Sequence, residues 1–436
     1  MSAKAEQADL ESFYARLQCL FAQGAYTGPL KILREKAFDH FLELGLPEKG
    51  TEAFQYISLK NLYKESFVQE EAHFFSQDEI EDLIYPEAKG SYLVFVNGFF
   101  QPSLSRLSTL PKQIVVLPLG EAILSYGTFL QNRWSQTLSE DIDPFALLNL
   151  GLHPRGAFIY VPPKIILKDP IQCLFLSTDE RQLSLPRLQF FVASGSDVQL
   201  IASTAGKGFS NSVIDMALED SARFSYLDVS PSGVVDTDQE GRSFSFLRAT
   251  LKRGSHLSAL SLYPQRELTR QCFQVALRGE NAEATLQGGW CLKKKEQMHV
   301  HVTVRHEAPS CHSMQKFKGV LDDMSQSSFE GKIFVTPKAQ KTEAYQLNNN
   351  LILGEYASAH SKPNLEIFAD DVKASHGATV SQLNPEQLFY LKSRGITEDV
   401  AKNLLVQGFI GELIQQVSYP SIQTAMVTHV KNAFSL

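Results

Sequence analysis

VALRGENAEATLQGG, residues 275–289, holds an apolar strand, a turn of small and charged residues, and a second apolar strand. Val275 and Leu277 share one face before the turn, and Ala284 and Leu286 share one face after it, as the two-residue period of a strand requires. The same arrangement recurs in FFVASGSDVQLIAS (190–203), DMALEDSARFSYLDV (215–229), LRATLKRGSHLSALSLY (247–263) and KGVLDDMSQSSFEGKIFV (318–335). The turns begin near Ser194, Glu219, Arg253, Arg278 and Asp322, at spacings of about 24 to 44 residues. Such spacing suits one or two coils of a strand solenoid better than the loops of a sandwich. With strands stacked about 4.8 Å apart, some eight coils would build a rod of roughly 40 Å. The fold class is therefore read as mainly β, a right-handed parallel β-helix core with N-terminal and C-terminal α-helical regions. An antiparallel sandwich or jelly roll is the runner-up, because periodicity does not distinguish parallel from antiparallel pairing.

The flanks carry a different texture. Leu10, Phe13, Tyr14, Leu17, Leu20 and Phe21 recur at three- and four-residue steps and predict a helix over residues 7–23. A second is expected over 30–44, stopped by Gly45 and Pro47. SYLVFVNG and KQIVVLPL, between 91 and 118, read as short strands, and 121–150 reads as helix. Beyond the repeats, Leu365, Ile367 and Ala369 alternate as a strand, Asp370 and Asp371 end it, and Lys373 to Val380 reads as a small polar loop carrying His376. Asn384 offers an N-cap oxygen, Pro385 stands at the first helical position, and Gly395 suits the left-handed residue past the helix end. Thr397 opens another helix reaching about Val417. Its apolar residues fall on two sides, Val400, Leu404 and Leu405 opposite Val406, Phe409, Ile410, Leu413, Ile414 and Val417. Either one side packs at home and the other wants another surface, with Gly408 and Gly411 permitting close approach, or the helix is buried all round within a helical cluster. The organisation expected is residues 1–150 mostly helical, 151–380 β-helix, and 381–436 helical.

A net charge of −7 leaves no Lys/Arg excess for phosphate contacts, so no nucleic-acid partner is expected. The run Lys293 to Lys295 reads as a solvated hairpin tip. No apolar run reaches about 18 residues, so no membrane span is expected. MSAKAEQADLESF has neither the apolar core of a signal peptide nor the character of a transit peptide. Cys19, Cys173, Cys272, Cys291 and Cys311 are scattered, with no CxxC pair. Both features point to a cytoplasmic protein, and the cysteines argue against a four-thiolate site within this chain alone.

No GxxxxGK[ST], GxSxG or GxGxxG pattern is present, so no phosphate loop, hydrolase elbow or dinucleotide site is indicated. His299, His301, His306 and His312 crowd together with Cys311. On a strand His299 and His301 would share a face at roughly 7 Å, suiting two metal ligands, whereas His306 would face the opposite way. A metal-dependent cupin or jelly-roll enzyme using His299 and His301 is thus the alternative function, although the Glu such sites place shortly after the pair is missing. Stacked histidines without a ligand role are the blander account. The pairs Asp322/Asp323 and Asp370/Asp371 fit turn chemistry.

LEI at 365–367, ADDVK at 369–373, SHGAT at 375–379, LFYL at 388–391 and SRGI at 393–396 together resemble the SufB/SufD family of iron–sulfur cluster assembly proteins. GLPEKGTEAFQYISL (45–59), with Phe54 where a Trp is usual, VPPKIILKDPI (161–171) and FEGKIFVTPKAQKTEAYQLNNNLIL (329–353) are similar to further blocks of that family. The resemblance implies a parallel β-helix and a SufD-like subunit that is not itself an enzyme. It implies two partners, a SufB-like paralogue met through the β-helix and a SufC-like ABC ATPase met through the C-terminal hairpin, with a homodimer expected in isolation. The matching histidine of the family lies at the contact between paralogues, so the resemblance makes His376 a metal ligand shared with the partner chain. The cofactor implied is an iron–sulfur cluster or iron, held transiently at that interface and not by this chain alone. Ala374, where many relatives have Cys, denies His376 a neighbouring thiolate and favours SufD over SufB. The partner-binding residues implied are Phe389, Tyr390, Leu391, Arg394, Gly395, Ile396, Phe409 and Ile410.

Overall fold

The structure is a computed structural model that describes residues 3–23, 30–48, 51–70, 75–140, 143–153, 156–234, 241–263 and 266–433. Its centre is a parallel β-solenoid of about seven turns. Two sheets face each other, one running from Ser91–Val96 to Val372–Ser381 and the other from Val115–Pro118 to Ser358–Ile367, with successive strands alternating between them. From Ser91–Val96 in one stack and Ala157–Val161 in the other, pairing is parallel and in register to the last turn, as in Glu283–Leu292 on His312–Leu321 and Gln297–His306 on Gln326–Val335. The antiparallel alternative is thereby excluded. Handing each strand to the opposite sheet means that Lys293–Lys295 is a solenoid corner, not the expected hairpin tip.

One corner sets the pitch. Lys164, Gly195, Ser221, Gly254, Asn281, Ser310 and Lys341 all have positive φ, at intervals of 26 to 33 residues. Each donates its backbone N–H to the carbonyl of the residue just before its counterpart one turn on: Ser221 to Arg253 at 2.8 Å, Gly254 to Glu280 at 2.9 Å, Asn281 to Pro309 at 3.2 Å and Ser310 to Gln340 at 2.8 Å. A left-handed residue turns the chain sharply; Gly195 and Gly254 take it with no Cβ penalty and Asn281 at little cost, whereas Lys164, Ser221, Ser310 and Lys341 bear that penalty. The sequence-based spacing looked irregular because the turns at Ser310 and Lys341 were not counted and Asp322 belongs to the opposite corner, where Lys294 and Asp323 are the positive-φ residues.

Inside the solenoid, rows such as Ala259, Ala284, Leu286, Val302, Val304 and Phe317 form one continuous apolar core. The first turn borrows Ser91–Val96, which pairs with Ile171–Ser177, so the N-terminal region contributes strands as well as its helices Ala3–Gln23, Lys31–Leu44 and Leu119–Glu140. The fully buried helix Pro144–Leu152 lies against the outside of one sheet. Asp143 caps it and also accepts from Arg270 Nη2 at 2.6 Å, while Asn149 donates to the carbonyls of Asn211 (2.7 Å) and Pro186 (3.1 Å).

Beneath that helix Asp215 accepts from Arg187 Nη2 at 2.5 Å and Arg248 Nε at 2.6 Å, all three side chains being buried. Burial alone would raise the Asp215 carboxyl, but Arg248 and Arg187 overcome it and hold the group below its usual range. Asp215→Asn would strand two guanidinium groups away from water. We expect it to cost about 3–5 kcal/mol of unfolding free energy in chemical denaturation.

Candidate interaction site at the open end of the solenoid

The last turn consists of Ser358–Ile367 and Val372–Ser381. Each pairs on one side only among the described residues, with Gln326–Val335 and Thr342–Ile352 respectively. Lys341 N donates to Asp371 O, the final rung of the corner ladder. The outer edge therefore presents two rows of backbone donors and acceptors to whatever docks there.

His376 lies on this terminal strand. The expected loop over Lys373–Val380 is instead extended backbone paired along its whole length with Thr342–Ile352, His376 opposite Gln346. It is exposed because, among the described residues, no further turn covers the row that at Gln346, one turn earlier, is buried in the lumen. Ala374 and Ala378 flank it two residues away on the same row, so no thiolate of this strand stands beside it.

Behind His376 the lumen turns polar, which sequence reasoning did not anticipate. Gln315, Gln346, Asn348 and Asn350 are buried, Gln346 Nε2 donating to Gln315 Oε1 at 2.7 Å and Asn350 Nδ2 to Asn348 Oδ1 at 2.7 Å. The signal was available: Gln346, Asn348 and Asn350 are two residues apart in EAYQLNNNL, which puts three amides on one strand face.

The histidine cluster does not converge on a metal. His299 and His301 share the outer face and His306 points inward, as the two-residue period requires, with His306 Nε2 2.8 Å from Ser313 Oγ. His299 Nδ1 lies 2.7 Å from Ser328 Oγ beneath the 52–57 segment, which is fastened by the Lys362–Glu52 ion pair and by Tyr56 stacked on His360 at 4.1 Å. Among the described residues no group of three His, Cys, Asp or Glu side chains is placed to hold an ion. With the parallel fold, this leaves the jelly-roll enzyme without support.

The C-terminal helices Pro385–Ser393, Glu398–Ile414 and Pro420–Ala433 close the other sheet. Asn384 Oδ1 accepts from Glu386 N at 2.8 Å and Gly395 takes φ +83°, both as expected, whereas Thr397 stands at the N-cap without a side-chain bond. Val406, Ile410, Leu413 and Ile414 are buried against the sheet, joined by the third helix through Ile422, Met426 and Val430. Lys318 fastens this face, donating to Phe409 O at 2.9 Å and Glu412 at 2.5 Å and lying 4.8 Å from the Phe409 ring centre. Ile410 is thus packed at home and Phe409 half-buried against the same face, which leaves these two expected partner residues less free surface than their neighbours. The free side is the other one: Val400 and Leu404 are exposed, and Gly408 and Gly411 fall on the same stripe with open space where a Cβ would be. The first helix buries no residue; Phe389, Tyr390, Arg394 and Gly395 are exposed, and Leu391 and Ile396 half-buried.

A family profile described as "SUF system FeS cluster assembly, SufBD core domain" matches residues 175–409, more than half of the chain. The chain belongs to the SufB/SufD family. The "SufBD protein N-terminal region" matches residues 4–173, so the two profiles meet within the first turns of the solenoid. An iron–sulfur cluster assembly SufBD family protein of Synechocystis sp. is 29% identical over 97% of this chain and 95% of its own length. The chloroplastic protein ABCI7 of Arabidopsis thaliana is 26% identical over 92% and 86% respectively. The iron–sulfur cluster assembly protein SufD of Escherichia coli is 35% identical over a shorter stretch, 35% of this chain and 36% of its own. No helix of the described residues is long and apolar enough to cross a membrane.

Burial, then Arg270 and His360, push the His299 imidazole down to about 3. The unfolded chain takes up that proton near the ordinary value of 6.5 and the folded chain does not, so stability falls as pH drops from 6.5 toward 3. We expect a loss on the order of 2 kcal/mol from this group between pH 6.5 and about pH 5, and a flatter pH dependence of urea unfolding in His299→Gln.

Proposed function

We propose that this SufB/SufD-family iron–sulfur cluster assembly protein is a SufD-like scaffold subunit without enzymatic activity of its own. It pairs through its last solenoid turn with a SufB-like paralogue and through its C-terminal helices with a SufC-like ABC ATPase. The carrying observation is the exposed His376 on a strand whose outer edge is unpaired among the described residues. A strand edge of that length is completed by another strand edge, and a second solenoid of the same pitch offers one. His376 would then lie at the seam, its neutral imidazole able to ligate iron or a cluster edge together with ligands from the paralogue. The cluster is cargo and not a resident cofactor. Ala374 supports the SufD over the SufB assignment, since it withholds the thiolate that would let this chain hold the cluster by itself. The scattered cysteines support a cytoplasmic setting.

The ATPase surface is assigned to Phe389 and Tyr390 of the first C-terminal helix with Val400, Leu404, Gly408 and Gly411 of the second. Large apolar side chains exposed around a glycine stripe fit a helix-to-helix contact at close range.

Two sets of substitutions test this reading. Phe389→Asp and Leu404→Asp change exposed positions, so the chain should fold normally while ATPase binding in co-purification falls at least tenfold, the loss of roughly 1.4 kcal/mol or more expected at an anchor residue. Ile410→Asp should instead destabilise the isolated chain by several kcal/mol, because the charge enters the packed face. Undiminished ATPase binding by both exposed-face variants would move the docking surface elsewhere. His376→Ala should leave folding and complex assembly intact while cluster formed per complex drops. Unchanged cluster yield in an intact complex would remove His376 from the ligand set.

A further inference from the structure

Between the C-terminal helices and the outer face of the sheet lies a cavity of about 150 Å³. Its inner wall is Leu262, Cys291, Ile410, Met426 and Val430, with Val229 alongside. Apart from the half-buried Leu262 these side chains are buried. Its mouth is polar, edged by Ser230 and by Thr428 and Asn432, which are exposed on the third helix. No Asp, Glu, Lys or Arg lines it, and its nitrogen-bearing side chains, besides Asn432, are the Trp290 indole and the half-buried His429 imidazole. A charged ligand would lose hydration against the apolar inner wall, whereas an apolar ring of about this volume would not. Burial pushes the Cys291 thiol up to about 12, so that part of the wall also stays uncharged.

We propose that this cavity is a binding site for a neutral, ring-sized, largely apolar molecule carrying one hydrogen-bonding group, the ring against the sheet and the polar group at the Ser230–Thr428 mouth. The wall is drawn from a strand through Cys291, from the second helix through Ile410 and from the third helix through Met426 and Val430. An occupant therefore touches three elements that otherwise meet around a void, and it ties the helices to the solenoid. Another side of the second helix carries the exposed Val400 and Leu404, so occupancy stiffens the support of that surface. The site itself stands independently of what docks there.

The test uses the full chain with 4-methylphenol and toluene as probes. Saturable binding should raise the thermal unfolding midpoint and slow backbone hydrogen exchange several-fold across Pro420–Ala433, with 4-methylphenol binding more tightly than toluene. Ala425→Leu, which fills the cavity from the third helix, should abolish both responses without lowering the midpoint of the free chain. Val229→Phe fills it from the opposite wall and serves if the first variant folds poorly. A chain ending at Ala433 should respond like the full chain. The proposal is overturned if neither probe protects that helix, if both cavity-filled variants respond like the parent, or if a response appears only once residues 434–436 are removed, which would make the chain's own end the occupant.

Discussion

The corner hydrogen bond from each left-handed residue to the next turn is the constraint on which the solenoid depends. Strand-to-strand bonds alone would allow one strand to slip past another, and a slip of one residue would turn the apolar rows outward. A corner residue with positive φ has a single place in the turn, so its N–H finds only one carbonyl above it. Lys164, Gly195, Ser221, Gly254, Asn281, Ser310 and Lys341 thereby lock seven turns whose lengths differ. Unequal turns are tolerated because the surplus residues leave at other corners while this one stays in line.

Once the register is locked, every outward row becomes a surface to be used. One sheet is covered by Pro144–Leu152 and its capped, buried charges, the other by the second and third C-terminal helices held through Lys318. Both coverings bury polar anchors along with apolar side chains. Asn149, Arg187 and Asp215 on one side, and Lys318 with Glu412 on the other, fix where each helix sits as well as that it sits. Apolar contact alone is non-directional and would leave that choice open.

The strand, turn, strand blocks made the solenoid legible, since each strand buries one face and therefore alternates. The same reasoning failed at Lys373–Val380 for a physical reason. That strand ends the stack, both of its faces meet solvent, and KASHGATV carries no apolar alternation to betray it. In the Glu398–Ile414 helix the two apolar sides were visible, but nothing in their composition told which one the sheet would take. The lumen amides were missed because polar residues at a two-residue period look like a solvated face unless the neighbouring turns are already known.

The two ends of the stack are unlike. At the start, Ser91–Val96 is flanked by the short antiparallel strands Phe99–Phe100 and Arg106–Leu107, and Val115–Pro118 runs antiparallel to Ala157–Val161. None of these continues the parallel winding. Among the described residues only the Asp371 end leaves a parallel edge unpaired. Were two such ends to meet, each would consume the other's free edge and leave none to recruit a third, so a blocked start removes the route by which an open-ended stack of strands lengthens into a filament.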